Sequence, residues 1–184
     1  MDHGAESYLR FLAGDDNGMV ELIRDYKDGL MLYRNGMVGN IHVAEELMEE
    51  TFVRLAVRRP HFRGRSSFKT WLYAIGRNLA LDDLRRRRRE GPADPELLAR
   101  EADAETVEAA YLRDERGRAL HRAMGRLHPE YRTVLWLVYF EEMDNAQAAV
   151  AMRKSKRQIE NLVYRAKQSL RTELKKEGIT GENL

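Results

Sequence analysis

Residues 62–78, FRGRSSFKTWLYAIGRN, combine large aromatic side chains with cationic ones. Aromatic rings can stack on nucleic-acid bases, and Lys or Arg side chains can neutralise the phosphates beside them. Lys69, Tyr73 and Arg77 recur at four-residue spacing, so a helix would place them on one face. The pattern predicts a basic, aromatic surface that can follow a single strand of nucleic acid.

The same helix carries an apolar stripe that begins with Phe68 and Trp71. Large aromatics on such a stripe usually pack into a core, so we expect these two to be scaffold. The loop before them, residues 62–67, contains Gly64 for backbone freedom together with serine hydroxyls and cations. Such a loop could form a pocket for an unstacked base.

A second basic element lies near the C-terminus, in a predicted helix over 155–176. Its apolar positions, Ile159, Leu162, Val163, Ala166 and Leu170, mark the face that packs inward. The opposite face then carries Lys154, Arg157, Gln158, Asn161, Arg165 and Gln168. Arg and Lys can bind phosphates or guanine, and Gln or Asn can pair with adenine. A short helix and a turn of three or four residues precede it, which is the helix-turn-helix pattern. A merely solvated charged face is the alternative.

An acidic ridge occupies the predicted second helix, with Leu47 and Met48 beside its carboxylates. Its members are Glu45, Glu46, Glu49 and Glu50. This ridge would repel nucleic acid, so we interpret it either as a solvated face or as a docking surface for a basic protein.

Catalytic and metal-binding patterns find little support in the sequence. There is no cysteine, and the five histidines are scattered without paired-ligand spacing. Asp82 and Asp83 are adjacent, so on a helix they do not share a face and make a poor metal clamp. We expect no enzyme activity, no metal site and no cofactor. The opposing hypothesis is a small nuclease that uses Asp82 or Asp83 with a metal.

The apolar spacing throughout is helical, which predicts an all-α protein. In the first part of the chain, helices are expected over 18–36 and from about 43 to just before Pro60, and a third begins at Ser66 or Ser67 as N-cap and ends at 85–89. In the second part, helices are expected over 113–126, 130–140, 144–151 and 155–176, followed by a frayed tail. Asp144 and Ser155 are the expected N-caps of the last two helices.

Charge divides the chain into three parts. Residues 54–90 hold twelve cationic and three acidic side chains. Residues 91–115 hold two cationic and eight acidic side chains, and residues 152–176 hold nine cationic and two acidic ones. We therefore predict two small helical domains, 1–90 and 113–184, joined by an acidic linker over 91–112. No leader-like or membrane-spanning apolar run stands out, so the cytoplasm is the expected location.

Three segments in this order resemble the extracytoplasmic function (ECF) sigma factors of bacterial RNA polymerase. They are AEELMEETFVRL, the segment FRGRSSFKTWLYAIGRNLALDDLRRRRR, and LHPEYRTVLWLVYFEEMDNAQAAVAMRKSKRQIENLVYRAKQSL after the acidic linker. The resemblance covers about residues 22–174. It implies a sigma region 2 domain at 1–90 and a sigma region 4 domain at 113–184, which together direct promoter-specific initiation.

The resemblance also implies site residues and partners. Core RNA polymerase would be bound through Glu45, Glu46, Leu47, Glu49 and Glu50. The minus-ten element would be bound and melted by Phe62, Arg63, Gly64, Ser66, Ser67, Lys69, Tyr73, Arg77 and Asn78. The minus-thirty-five element would be read by Arg153, Lys154, Ser155, Lys156, Arg157, Gln158, Asn161 and Arg165.

The chain departs from the family pattern around this last element. Arg153 stands where the turn usually has Gly, and Ala148 replaces a bulky aliphatic residue. The other expected partner is an anti-sigma factor, so the chain would be a monomer when free or form a 1:1 complex. A stand-alone helix-turn-helix regulator is the main alternative; it would bind duplex DNA tightly without polymerase.

Overall fold

The computed structural model describes residues 2–90 and 115–179, and all regular structure in these two ranges is helical, as predicted. The helices are α1 His3–Leu12, α2 Asn17–Val38, α3 Ile41–Arg58, α4 Phe68–Glu90, α5 Glu115–Gly125, α6 Pro129–Leu135, α7 Asn145–Met152 and α8 Lys156–Lys176. A π-helical turn, Trp136–Phe140, follows α6 directly. The predicted linker over 91–112 and most of the predicted tail lie outside the described residues.

Helix α1 is an element that the sequence reasoning missed. It begins at the N-cap Asp2, whose carboxylate accepts a hydrogen bond from the amide of Ala5 at 2.9 Å. The other oxygen of Asp2 accepts from the amide of Phe68 at 2.8 Å, where α4 begins. One side chain therefore caps two helices and fixes the N-terminus against α4.

The predicted caps of the later helices are confirmed. Ser67 accepts from the amide of Thr70 at 3.2 Å, which identifies it as the capping serine of α4. Asp144 and Ser155 both form capping boxes, each with a glutamine three residues further on that bonds back to the cap amide. These local bonds explain why the sequence predicts the starts of α7 and α8 well.

Helices α1 to α4 pack around an aromatic cluster. Phe68 is fully buried and lies 5.4 Å from Tyr8 and 5.5 Å from Trp71, measured between ring centroids. Phe62, from the loop before α4, closes the cluster at 5.2 Å from Trp71. Phe68 and Trp71 are thus scaffold, as expected from their stripe.

Helices α5 to α8 form the second unit, and this unit packs directly against the first. Ile159, Leu162 and Ala166 of α8 are buried beneath α6 and α7. Helix α7 contacts α4, and α6 contacts α2, so the buried residues of both units form one continuous core. No helix in the described part of the chain is long and apolar enough to cross a membrane.

Candidate nucleic-acid and protein interfaces

The N-terminal half of α8 presents most of the predicted DNA-reading residues to solvent. Because Ile159 and Leu162 face the core, the polar positions between them point outward. The exposed members of the predicted set are Arg153, Ser155, Lys156, Arg157, Gln158, Asn161 and Arg165. The arrangement can supply cations to phosphates and two amides to base edges.

Lys154 differs from its neighbours. Its ammonium nitrogen lies 2.7 Å from a carboxylate oxygen of Glu130 at the start of α6, and only a quarter of its side chain is exposed. The two residues line a shallow groove beside α8 together with Gln158, Asn161 and Arg165. Lys154 would have to leave Glu130 before it could contact a phosphate.

The turn between α7 and α8 is tight and ends α7 with a left-handed residue. Arg153 has φ +52°, and its amide bonds to the carbonyls of Ala149 and Val150. The amide of Lys154 then bonds to the carbonyl of Ala149 at 2.9 Å. This conformation favours glycine, which accounts for the glycine usual at this position and leaves Arg153 conformationally strained.

An aromatic patch next to α8 was not foreseen from the sequence. Tyr164 is two-thirds exposed, and Tyr139 of the π-helical turn is half exposed. The ammonium of Lys167 lies 5.3 Å from the centre of the Tyr139 ring. The signal was available in the sequence, because Tyr164 falls opposite the apolar face of α8.

The loop before α4 has the conformation expected of a flexible, polar segment. Gly64 has φ +66° and open space around it, which confirms the need for glycine there. Arg63 and Arg65 are exposed beside it. Phe62 is half-buried against Phe68, so its ring anchors the start of the loop to the core.

The expectation of an open face containing Lys69, Tyr73 and Arg77 is wrong for this arrangement. Tyr73 is only 1% exposed, and its ring lies 5.1 Å from that of Tyr33. Burial raises the pKa of Tyr73 strongly, and the nearby carboxylate of Glu141 raises it further. A prediction from helical periodicity assumes that a helix packs on one side only. Helix α4 packs on two sides, against α2 and against the second unit. Lys69, Arg77 and also Asn78 are half-buried; their role in binding DNA stays a prediction.

The acidic ridge on α3 is exposed as predicted. All four of its glutamates face solvent, Leu47 is half-buried, and Glu50 lies 3.6 Å from Arg54 one turn further on. Val53 and Val57, which the sequence reasoning overlooked, are 53% and 76% exposed. With Glu46 and Glu50 they recur at helical spacing, so the exposed face is acidic at its N-terminal half and apolar at its C-terminal half.

The adjacent carboxylates of α4 are occupied by arginines of the same helix. Asp83 is buried and accepts from Arg86 and Arg87, both at 2.6 Å. Asp82 is exposed and accepts from Arg85 at 3.2 Å. Over residues 2–90 and 115–179, no group of three or more His, Cys, Asp or Glu side chains could hold a metal ion.

A helix-turn-helix with a basic recognition helix, next to a helical unit with an acidic ridge and a basic aromatic segment, defines a DNA-binding transcription factor with a protein-docking surface. Residues 22–90 match the family Sigma-70 region 2, and residues 117–170 match Sigma-70, region 4.

Relatives in other bacteria resemble the chain over most of its length. The ECF RNA polymerase sigma factor SigW of Bacillus subtilis is 27% identical over 171 residues, which cover 88% of this chain and 91% of SigW. The ECF RNA polymerase sigma factor BldN of Streptomyces coelicolor is 32% identical over 165 residues, which cover 88% of this chain and 62% of BldN.

Two solved structures share the fold. The sigma factor RpoE in complex with the anti-sigma factor NepR from Bartonella quintana superposes with a TM-score of 0.66 at 20% identity, over 84% of this chain and 95% of the other. CnrH in complex with the cytosolic domain of CnrY gives 0.62 at 21% identity, over 91% of each chain. The chain belongs to the ECF sigma factors, which are transcription initiation factors.

Proposed function

We propose that this chain binds core RNA polymerase through α3, opens promoter DNA with the loop 62–67 and α4, and anchors the upstream promoter element with α8. The observation that carries the proposal is the separation of charge on the surface. The acidic ridge lies on α3, whereas α4 and α8 carry the cations. Such a division suits a protein that must hold a basic protein surface and DNA at once. It catalyses no reaction itself, and it acts in the cytoplasm with the polymerase.

Docking would use both halves of the exposed face of α3. The carboxylates of Glu46 and Glu50 would meet cations on the partner, while Val53 and Val57 would cover apolar surface. Exposed valines contribute little to the stability of the free protein and bury area only in a complex. Val53 and Val57 therefore join the predicted docking residues.

Minus-ten binding would use the exposed loop together with Lys69, Tyr73, Arg77 and Asn78 of α4. Minus-thirty-five binding would use the exposed positions of α8, with Gln158 and Asn161 nearest the base edges. Gln158 already bonds the amide of Ser155 at 2.8 Å, so its side chain is held in a defined position.

We further propose control by an anti-sigma factor that binds this chain 1:1. The support is the fold shared with RpoE and CnrH, each of which was solved with a partner protein. A protein partner that blocks initiation by this chain, and leaves initiation by a different sigma factor unaffected, is the expected finding.

Run-off transcription tests the main proposal. Core polymerase from the source organism, a library of promoter fragments and the purified chain are expected to give transcripts that start at discrete sites only when the chain is present. Reversing two ridge charges, Glu46→Lys with Glu50→Lys, should abolish these starts, because like charges then face the polymerase.

The matched control reverses the same number of charges elsewhere. Glu6 on α1 and Asp28 on α2 are both exposed and lie outside the ridge. Glu6→Lys with Asp28→Lys should leave initiation close to that of the wild type. Equal loss in both double variants would remove α3 from the docking surface. Tight duplex binding without directed starts would favour a stand-alone regulator.

A further inference from the structure

The carboxylate of Glu141, at the end of the π-helical turn, lies in the interface between the two units. Only a tenth of its side chain is exposed. One carboxylate oxygen lies 2.7 Å from the ammonium nitrogen of Lys69 on α4, and the same ammonium donates to the backbone carbonyl of Glu141 at 2.9 Å. The indole nitrogen of Trp136 donates to the other carboxylate oxygen at 3.1 Å. A carboxylate of the second unit is therefore held by a cation of the first.

Tyr73 completes this site. Its hydroxyl group also hydrogen-bonds the carboxylate of Glu141, and its ring lies beneath the ammonium of Lys69 at 6.0 Å. Glu141 thus bonds two of the side chains that we propose for minus-ten DNA, Lys69 and Tyr73. A carboxylate held by an ammonium and a hydroxyl has the same hydrogen-bonding chemistry as a phosphate oxygen on these groups.

Helix α2 leaves room for this contact at a glycine. A Cβ atom at Gly29 would lie 2.5 Å from Oε1 of Glu141 and 2.6 Å from the hydroxyl oxygen of Tyr73. Any side chain at this position would require the Glu141 carboxylate or the Tyr73 hydroxyl to move. The sequence of the first unit is therefore suited to the closed arrangement, and Gly29 is not itself one of the proposed DNA-binding residues.

A second contact between the units lies at the other end of α2. The guanidinium of Arg132 donates from Nε to the backbone carbonyl of Gly36 at 2.8 Å. The side chain of Arg132 also lies flat on Gly36, since a Cβ there would be 3.6 Å from Cγ of Arg132. None of our proposed DNA or polymerase contacts involves Arg132 or Gly36, so this pair can report closure without altering those contacts.

We infer that the closed arrangement is self-inhibited, with Glu141 as a latch that occupies the minus-ten surface until the second unit leaves. This inference rests on the proposed function for its consequence, but not for its geometry. In the closed form Tyr73 is buried and the ammonium of Lys69 is held by Glu141, so neither side chain is free to bind a DNA strand. The apparent affinity for minus-ten DNA falls in proportion to the fraction of molecules that are open. Any partner that separates the units releases the surface.

A reversible covalent lock tests the inference directly. The chain has no cysteine, so Gly36→Cys with Arg132→Cys introduces one possible intramolecular disulfide. A Cβ at position 36 would lie 3.6 Å from Cγ of Arg132, so the two cysteines need only a small adjustment to form a disulfide in the closed form. Non-reducing electrophoresis follows the disulfide, and the two single cysteine variants serve as controls.

Three outcomes are informative. The double variant should direct run-off transcription when reduced, lose it when oxidised and regain it with dithiothreitol. A disulfide that does not form, or one that forms and leaves transcription intact, overturns the inference. Inactivity of the wild type and of the reduced variant would instead contradict the proposed function, so the two failures are distinguishable.

Removal of the latch tests the role of the carboxylate itself. Glu141→Gln weakens the contact with Lys69, and Glu142→Gln removes the same charge from the exposed neighbour. Anisotropy of a labelled single-stranded promoter oligonucleotide measures binding by the purified chain. Glu141→Gln should tighten binding by about tenfold, because the closed state that competes with DNA is weakened, whereas Glu142→Gln should not. Equal affinities would overturn the latch.

Gly29→Ala provides a variant that keeps every proposed DNA-binding side chain. Its added methyl group meets the carboxylate of Glu141 and the hydroxyl of Tyr73, so it should weaken the latch and tighten oligonucleotide binding in the same direction as Glu141→Gln. Alanine also favours the helix, so α2 should fold normally. Unchanged binding by this variant would contradict the inference whatever the result with Glu141→Gln.

Discussion

The guanidinium group of Arg34 fills the space that a side chain at position 76 would need. A Cβ atom at Gly76 would lie 2.8 Å from Nη2 of Arg34 and 3.0 Å from Cδ1 of Leu30. Arg34 is completely buried and donates from Nη2 to the hydroxyl of Thr51 on α3. Helices α2 and α4 can cross this closely only because position 76 lacks a side chain.

Gly76→Ala should therefore destabilise the protein despite the better helix propensity of alanine. Overpacking of a buried site costs about 1–3 kcal/mol, which exceeds the gain of roughly 1 kcal/mol from replacing glycine in a helix. Urea unfolding measures the difference. Gly125→Ala is the matched control, because a Cβ there meets nothing within 4 Å, and it should be neutral or slightly stabilising.

Replacement of Arg34 by an apolar side chain should cost little. Its Nε and Nη1 atoms have no hydrogen-bond partner within the described residues, and burial lowers its pKa. A buried cation without good partners contributes little net stability, so Arg34→Met should leave the free energy of unfolding unchanged or raise it by about 1 kcal/mol. Gly76→Ala should also cost less in the Arg34→Met background. A large loss for Arg34→Met would show that the guanidinium has an essential partner.

Local signals explain how much of the fold could be predicted. Ser67, Asp144 and Ser155 cap their helices through bonds that span three residues or fewer, so sequence alone identifies them. Helix α1 has the same local signal, since Asp2 caps it through the amide of Ala5 three positions away, and it was overlooked. Only the bond from Asp2 to Phe68, which spans 66 positions, lay beyond the reach of the sequence. Tertiary bonds of this kind leave no periodic trace in the sequence.

The exposed residues of the site could be predicted only on helices that pack through a single apolar face. The exposed positions of α8 follow from its single apolar face, and the ridge of α3 follows in the same way. Tyr73 could not be placed, because its burial depends on tertiary packing, including the ring of Tyr33 on α2 at 5.1 Å. Val53 and Val57 were overlooked because apolar residues were assumed to pack inward.

Arg153 offers a test of backbone strain in the helix-turn-helix. A non-glycine residue at φ +52° costs about 1 kcal/mol relative to glycine, so Arg153→Gly should raise the free energy of unfolding by about that amount. Thermal unfolding followed by circular dichroism measures the change. Arg157→Gly, within α8, should do the opposite and destabilise by about 1 kcal/mol. Destabilisation by Arg153→Gly would show that its side chain makes contacts worth more than the strain.

Buried tyrosines should make the protein sensitive to alkali. Burial raises the pKa of Tyr8 to about 12, and burial with the charges of Asp2 and Asp25 raises that of Tyr26 to about 12. Unfolded tyrosine ionises near 10. The unfolded state therefore loses its phenolic protons first, and stability that is present below pH 10 is lost as the pH rises towards 12.

The comparison of tyrosine variants isolates this effect from other titrations. Arg34 acts in the opposite direction, since a lowered arginine pKa makes stability rise with pH. The unfolding free energy of the wild type should fall between pH 9 and pH 11, and Tyr8→Phe should make this fall smaller. The difference is up to about 1.4 kcal/mol for each pH unit over which the phenol of Tyr8 is ionised in the unfolded state and protonated in the folded state. Tyr164→Phe, at an exposed site, serves as the control variant for loss of a phenolic hydroxyl.

The cations of α8 should set the salt dependence of promoter binding. Arg157 and Arg165 are exposed and lie on the outward side of the recognition helix. Each phosphate contact releases condensed counterions and contributes close to one unit to the slope of log K against log salt. Arg157→Ala with Arg165→Ala should therefore weaken binding of a minus-thirty-five duplex by the holoenzyme and flatten this slope by about two units.

Lys175 and Lys176 supply the control for that slope. They carry the same total charge on the same helix but lie more than two turns beyond Arg165, at its C-terminal end. Lys175→Ala with Lys176→Ala should leave the slope nearly unchanged, since the loss of distant charge is screened at physiological salt. If both double variants flattened the slope equally, the effect would be one of net charge. That result would contradict the assignment of the phosphate contacts to the N-terminal half of α8. An unchanged slope for the arginine pair would remove this face from the DNA interface, whatever the affinity.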